Sequence, residues 1–357
     1  MTSKIKYCFC LLFLMAPIFS SASDYLIGTY YFPGWTNHEK GLIYPIPWSP
    51  VKKYPDKEPL LGWYSDNDPA MLHQQVEWMR EYGIGYVAFD WYWGGNQPFL
   101  SQAVDAFKAS KVPGEMKYSI LWANHFKFPG GVPEYKKMVE YWVKEYFKDP
   151  DFLKIDGRPA IFVFSVGRFF DTAKDLGVTP KNLIDMADEI TQNAGLPKIY
   201  FVGEDHALEY WFNNVAKKAG FSSASVYNYR LGYSGSAESV TVNTGGWDAL
   251  AAAYHQNWDW MIKHSALDNY IVPMSIGWDR RPWGGSKPAK LDDSIPTPQE
   301  FEAHLLEAKK LMDAYPVKTK KMGIICCWNE FGEGSYLEPT KKFGFSYLEQ
   351  VKAVFGP

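Results

Sequence analysis

MGIICCWNEF, residues 322–331, continues as GEGSYLEPT to Thr340. The stretch opens as an unbroken apolar run of strand length and stops abruptly at Trp328-Asn329-Glu330. A run without polar alternation is the pattern of a strand buried on both faces, as in a parallel sheet. Such a strand needs no acid for its own stability, yet Glu330 stands at its end. A second acid, Glu333, follows three residues later among glycines. Neighbouring residues on a strand point to opposite faces, so the adjacent Cys326 and Cys327 read as buried small hydrophobes, not as a disulfide.

Seven similar runs precede this one: 25–32, 86–93, 117–124, 159–165, 198–205, 222–229 and 270–278. Helical patterns lie between them. Leu72, Gln75, Val76, Met79 and Tyr82 recur at helical spacing, with Asp68-Pro69 before them and Gly83 after. A proline just inside a helix start and a glycine just past its end are the expected punctuation. Leu183, Met186, Ala187 and Ile190 form another stripe, and Leu305, Ala308, Met312 and Tyr315 a third. Gly195 and Gly220 supply further stops. Eight buried strands alternating with helices predict an α/β fold, a single (β/α)8 TIM barrel over residues 24–357. An open doubly wound sheet fits less well, because no GxGxxG follows the first strand. The irregular stretch from Gly34 to Asn67 is long enough to predict a functional loop or lid.

The first 23 residues have the three parts of a signal peptide. Lys4 and Lys6 are basic, Tyr7 to Ile18 is almost wholly apolar, and Ser21-Ala22-Ser23 offers a cut before Asp24. The expectation is a secreted or periplasmic protein with no stable membrane insertion. Net charge is −3, and −5 once the two leader lysines are gone. That balance argues against nucleic acid as a partner. Aromatic residues make up 17% of the chain, with 15 Trp and 24 Tyr. Aromatics beyond the needs of a core, in an exported protein, point to a carbohydrate partner.

In a (β/α)8 barrel the ligand site lies at the C-terminal ends of the strands. Those ends nominate Tyr31, Asp90, Trp91, Trp93, Trp122, Asn124, His125, Glu204, Tyr227, Asn228, Trp278, Asp279, Arg280 and Asn329 as substrate-binding residues. Glu330 and Glu333 are the candidate catalytic pair, since two carboxylates flanking a cleft are the minimum kit for glycoside hydrolysis. One of them could instead cap a helix or bind a loop backbone. No HxH or HExxH spacing marks a metal site, no GxSxG elbow marks a serine nucleophile, and no cofactor is implied. Arg280 and Arg281 are either solvated loop charges or readers of an anionic sugar.

WNEFGEGSYLEP resembles the motif of the glycoside hydrolase family 99-like superfamily, which includes the endo-alpha-mannosidases and the WbsX-like proteins. GTYYFPGW near residue 28, EYGIGYVAFDWYW (81–93), LWAN (121–124) and GWD before Pro282 extend the resemblance over the mature chain. In the endo-alpha-mannosidases the motif reads Asn-Glu-Trp-His-Glu-Gly. Asn329, Glu330, Glu333 and Gly334 match it; Phe331 and Gly332 depart from it, as does His125-Phe126 after LWAN. The resemblance implies retaining hydrolysis assisted by the substrate's own 2-hydroxyl, with Glu330 as the base on that hydroxyl and Glu333 as the acid on the leaving oxygen. It implies an endo-acting enzyme on α-mannan-type chains as the first expectation. Hydrolysis of another, possibly acidic, glycan is the alternative, and a non-catalytic glycan-binding barrel is the alternative from a different class.

Overall fold

The structure, a computed structural model, describes residues 23–36, 47–110, 116–229, 231–232, 241–242 and 245–356. The expected leader lies outside the described residues up to Ser23. Among them no helix is long and apolar enough to cross a membrane.

Eight parallel strands form the barrel, one from each of the eight apolar runs. They are β1 (Leu26–Tyr31), β2 (Tyr86–Gly94), β3 (Lys117–Trp122), β4 (Arg158–Val163), β5 (Tyr200–Glu204), β6 (Ser223–Ser225), β7 and β8 (Met322–Cys326). Strand β7 comes in two pieces, Asn269–Tyr270 and Val272–Ser275. The first piece pairs with β6, Asn269 opposite Ser223, and the second pairs with β8, Val272 opposite Gly323. Since β1 joins β8 to β2, with Leu26 opposite Met322 and Gly28 opposite Tyr86, the circuit closes and leaves no free edge.

The helices have the predicted punctuation. Helix α1 (Pro69–Glu81) starts where the Asp68 side chain accepts from the Ala70 N–H, and Gly83 beyond its end has φ of +89°. Helix α2 (Val166–Asp175) is capped by Ser165, and α3 (Pro180–Asn193) by a reciprocal Thr179–Asn182 box. Helix α4 (Pro298–Ala314) ends at Tyr315, which is its C-cap and is exposed, so that residue does not continue the buried stripe of Leu305, Ala308 and Met312.

Strand alternation divides the core in two. Tyr30, Tyr86, Ala88, Phe162, Val202, Ile324 and Cys326 fill the barrel interior. Their neighbours in sequence, Tyr31, Val87, Phe89, Ile161, Val163, Phe201 and Ile325, face the surrounding helices. Each such fully buried large side chain stabilises the fold by about 1.5–3 kcal/mol. The cysteines correct the sequence expectation: Cys326 and Cys327 are joined by a disulfide across a cis peptide bond. The expectation assumed a trans peptide, whose Cα atoms stand about 3.8 Å apart; here they are 2.9 Å apart.

Candidate active site

Beyond β8 the chain runs through Trp328 and turns at Glu330. The Glu333 N–H donates to the Glu330 carbonyl at 3.1 Å, and the Asp279 N–H after β7 donates to the Glu333 carbonyl at 2.7 Å. Asn329 and Glu330 then pair antiparallel with Tyr336 and Ser335. The turn is thus pinned from its own strand and from the neighbouring loop.

Two glycines make that turn possible. Gly334 has φ of +73°, and a Cβ there would lie 2.5 Å from the Asp279 nitrogen. At Gly332 a Cβ would lie 2.0 Å from the Trp283 ring. Trp283 therefore fills the space that a side chain at position 332 would take. Phe331 is fully buried, stacked on Tyr336 at 4.7 Å and tilted against Trp48 at 5.4 Å. The described part of the long Gly34–Asn67 stretch builds this aromatic backing, with Trp35 stacked on Trp48 at 3.9 Å.

A cleft of about 500 Å³ opens at the strand ends, lined by residues that include Glu333, Tyr227, Asn228, Trp278, Arg280 and His206. Arg280 stands 4.0 Å from the Glu333 carboxylate. Glu330 is buried just beneath the cleft, and the Tyr227 hydroxyl lies 3.0 Å from it and 3.2 Å from Asp90. Lower in the barrel the Tyr30 hydroxyl donates to Glu204 at 2.5 Å. Burial pushes Glu330 well above the ordinary carboxylate range, and the charges of Glu333 and Asp90 push it further, against the Tyr227 hydrogen bond. Burial likewise raises Asp90 and Glu204. Asp205, at the cleft wall, is also raised by burial; it accepts from the Gly167 N–H of α2 and from the Ser165 hydroxyl.

Behind the turn sits a second polar layer. The Asn329 carboxamide accepts from the Phe32 N–H at 2.8 Å and donates to the Phe32 carbonyl at 3.1 Å, which ties β1 to the end of β8. The Trp35 indole donates to the Asn329 carbonyl. Tyr64 and Gln75 both donate to the buried Glu338, whose carboxyl burial pushes up to about 8. Buried Asp279 takes Lys57 at 2.9 Å and Arg281 at 2.6 Å. Burial opposes its charge, but Arg281 and Lys57 outweigh that and hold the carboxyl below its usual range.

The nominated residues therefore separate. Glu333, Tyr227, Asn228, Trp278 and Arg280 line the cleft, and Asp90 and Glu330 meet on Tyr227. Tyr31, Trp91 and Trp122 do not reach it: they are buried on the helix-facing side of the sheet, Trp91 donating to the Tyr146 hydroxyl. Trp93 stacks on Trp91 and donates to Glu134 on the same side. The reason is the two-residue alternation, which sends Asp90 inward and Trp91 outward. Asn124 braces β3 to the end of β4 by binding both the N–H and the carbonyl of Ser165. Asp279 and Asn329 hold loops, and Glu204 is buried with Tyr30. His125 packs on Phe164 and Tyr92 and is kept neutral-leaning by burial. Arg281 is spent on Asp279. Tyr92, at the end of β2 as the strand-end reading places it, belongs to the rim; Phe164 and Ser165 line the cleft and were not nominated, and counting alternate residues from Phe162 would have found Phe164.

The family model described as Glycosyltransferase WbsX matches residues 32–127 and 131–351. The chain belongs to that family. A relative described as uncharacterized protein WxcX, from Xanthomonas campestris pv. campestris strain B100, is 20% identical over 328 residues. The match covers 82% of this chain and 42% of the relative, so the chain spans less than half the relative's length. Among solved structures, a GH99 endo-alpha-mannosidase from Bacteroides thetaiotaomicron in complex with bis-tris-propane superposes with a TM-score of 0.62 at 17% identity, over 93% of this chain and 96% of that one. A protein described as glycoside hydrolase-like gives a TM-score of 0.65 at 14% identity, over 97% and 98%. These structures share the (β/α)8 barrel fold of this chain.

Proposed function

We propose that this protein is an exported glycoside hydrolase that cleaves a polysaccharide or glycan. One observation carries the reading: Glu330 and Glu333 share a single turn at the barrel mouth, with Glu333 on the cleft wall and Glu330 beneath it. A cleft lined by Trp278, Tyr227 and Phe164 offers flat rings to the apolar faces of a sugar. The mechanism follows the one the mannosidase resemblance implies. Glu330 removes the proton from the sugar's 2-hydroxyl as that oxygen attacks the anomeric carbon. The bond from that carbon to the leaving oxygen breaks, and the leaving oxygen takes the Glu333 proton. Water then attacks the anomeric carbon and gives its proton to Glu333, the bond from that carbon to O2 breaks, and Glu330 returns its proton to O2. Configuration is retained after two inversions. An endo-acting enzyme on α-mannan-type chains is the first substrate choice. The half-exposed Arg280, 4.0 Å from Glu333, favours a second, a glycan with a carboxylate or sulfate near the cleaved bond. A transferase role fits an exported protein poorly, since nucleotide-sugar donors are intracellular; the leader is the ground for export and for a cut before Asp24.

Glu330→Gln and Glu333→Gln test the assignment on a panel of neutral and acidic glycans. Each should cut the rate by about two or more powers of ten, and the two losses should not add. A substrate with a good leaving group should partly restore Glu333→Gln and not Glu330→Gln. Near-normal turnover by either variant on a natural glycan sinks the assignment; rescue of Glu330→Gln alone reverses the two roles.

A further inference from the structure

We infer that Asp90 holds a proton in the resting enzyme and, through Tyr227, keeps Glu330 ionised and aimed at the cleft. The inference rests on the reading of Glu330 as the base.

At Tyr227 the buried acceptors outnumber the protons. Tyr227 is buried, and burial together with the nearby carboxylates pushes its phenol well up, so it keeps its single proton. Yet its oxygen lies within hydrogen-bond reach of two carboxylates, Asp90 at 3.2 Å and Glu330 at 3.0 Å. One O–H serves one acceptor at a time. If both acids were ionised, one buried carboxylate would face the Tyr227 lone pairs with no proton between them. A second proton removes the conflict. The neutral carboxyl donates to the Tyr227 oxygen, and Tyr227 donates to the ionised one.

The surroundings demand that second proton. The remaining oxygens, Asp90 Oδ1 and Glu330 Oε1, are buried with no hydrogen-bond partner among the described residues. The charges acting on the two acids are other carboxylates: Glu333 on both, and Asp90 on Glu330. Tyr92 faces the pair from β2 and Glu204 with Tyr30 lies beneath it, so neither supplies a positive charge. Of the cleft's basic side chains, Arg280 addresses Glu333 and His206 acts on Asp205. Two uncompensated charges in such a place are far costlier than one. Glu330 is the base of the proposed mechanism, and only an ionised base can take a proton from substrate, so of the two acids Asp90 is the one that holds the proton. Asp90 is therefore a positioning residue that acts through Tyr227.

The direct test reads the proton. Protein carrying 13C in its aspartate side-chain carboxyls gives one Asp90 resonance, assigned by its loss in Asp90→Asn. It should sit at the protonated position at pH 7 and stay there after Glu333→Gln. An ionised Asp90 at neutral pH overturns the inference. Kinetics on α-mannan, or on whichever panel glycan the wild type cleaves, give the second readout. The asparagine amide still donates an N–H to Tyr227, so Asp90→Asn should keep kcat within about tenfold of wild type. Asp90→Ala and Tyr227→Phe each break the chain and should lose about 10- to 100-fold in kcat with little change in KM. A raised KM at unchanged kcat in Asp90→Asn would make Asp90 a sugar contact and overturn the inference. A protonated Asp90 in a protein that cleaves no glycan supports the proton assignment while sinking the hydrolase reading.

Discussion

Gly334→Ala strikes the Glu330–Glu333 turn without touching either carboxylate. The new methyl carbon would be held at φ of +73°, 2.5 Å from the Asp279 nitrogen and 2.6 Å from its Cβ. The left-handed backbone alone costs about 1–2 kcal/mol for alanine. The contact with Asp279 adds about 1–3 kcal/mol of overpacking. It cannot be relieved by a rotamer change, because one of the atoms struck is backbone. Asp279 is itself anchored by Lys57 and Arg281. The part that yields is the turn, and with it the 2.7 Å bond from the Asp279 N–H to the Glu333 carbonyl. Gly62 supplies the internal control: it has the same φ of +73° and nothing within 4 Å of a Cβ. Gly62→Ala therefore isolates the backbone cost. At about 2–4 °C per kcal/mol for a sizeable domain, Gly62→Ala should lower Tm by roughly 2–8 °C and leave kcat alone. Gly334→Ala should lower Tm further, to a total loss of about 4–20 °C. A shift of about 1 Å in a catalytic group costs on the order of 100-fold, so its kcat should fall by about that factor at the temperature where the variant is folded. Differential scanning fluorimetry and turnover on the glycan panel check both. If Gly334→Ala matched Gly62→Ala in Tm and kcat, the claim that Asp279 locks the turn would be refuted.

Stability should also depend on pH through Glu338. Its carboxyl is raised from 4.5 to about 8 by burial, so the native state holds the proton more tightly than the unfolded chain. The stabilisation is complete below about pH 4.5 and is lost as pH rises through about 8, a change of a few kcal/mol. Glu338→Gln removes that titration, and urea unfolding at pH 5 and pH 9 should show the wild type losing stability over this range while the variant loses clearly less; equal losses would refute it. The exported protein should begin at Asp24. Sequencing its first residues checks this, and a chain that still starts at Met1 would remove the argument for export.

Much of this protein is written in local pattern. The eight apolar runs became eight strands because a strand buried on both faces must be apolar at nearly every position, a demand visible residue by residue. Helix ends were equally legible at Asp68, Pro69 and Gly83, since capping acts over a few residues. The acids at the end of β8 stood out because nothing in a core strand calls for them. What the chain alone did not reveal is direction. Tyr31, Trp91 and Trp122 have the composition of sugar-binding aromatics, yet they face the helices, because barrel curvature and register decide which of two alternate faces looks inward. The same holds for Asp279 and Arg281, whose charges are spent on each other and on Lys57, a residue more than two hundred positions away. Glu338, Tyr64 and Gln75 meet only because the loop before α1 folds across the end of β8. Tyr227 bridges Asp90 and Glu330 for a similar reason: closing the sheet brings β2, β8 and the loop after β6 to one point. Sequence spacing sets which groups are available, but shared protons and shifted acidities depend on distances of about 3 Å between distant segments, and those exist only once the barrel has closed.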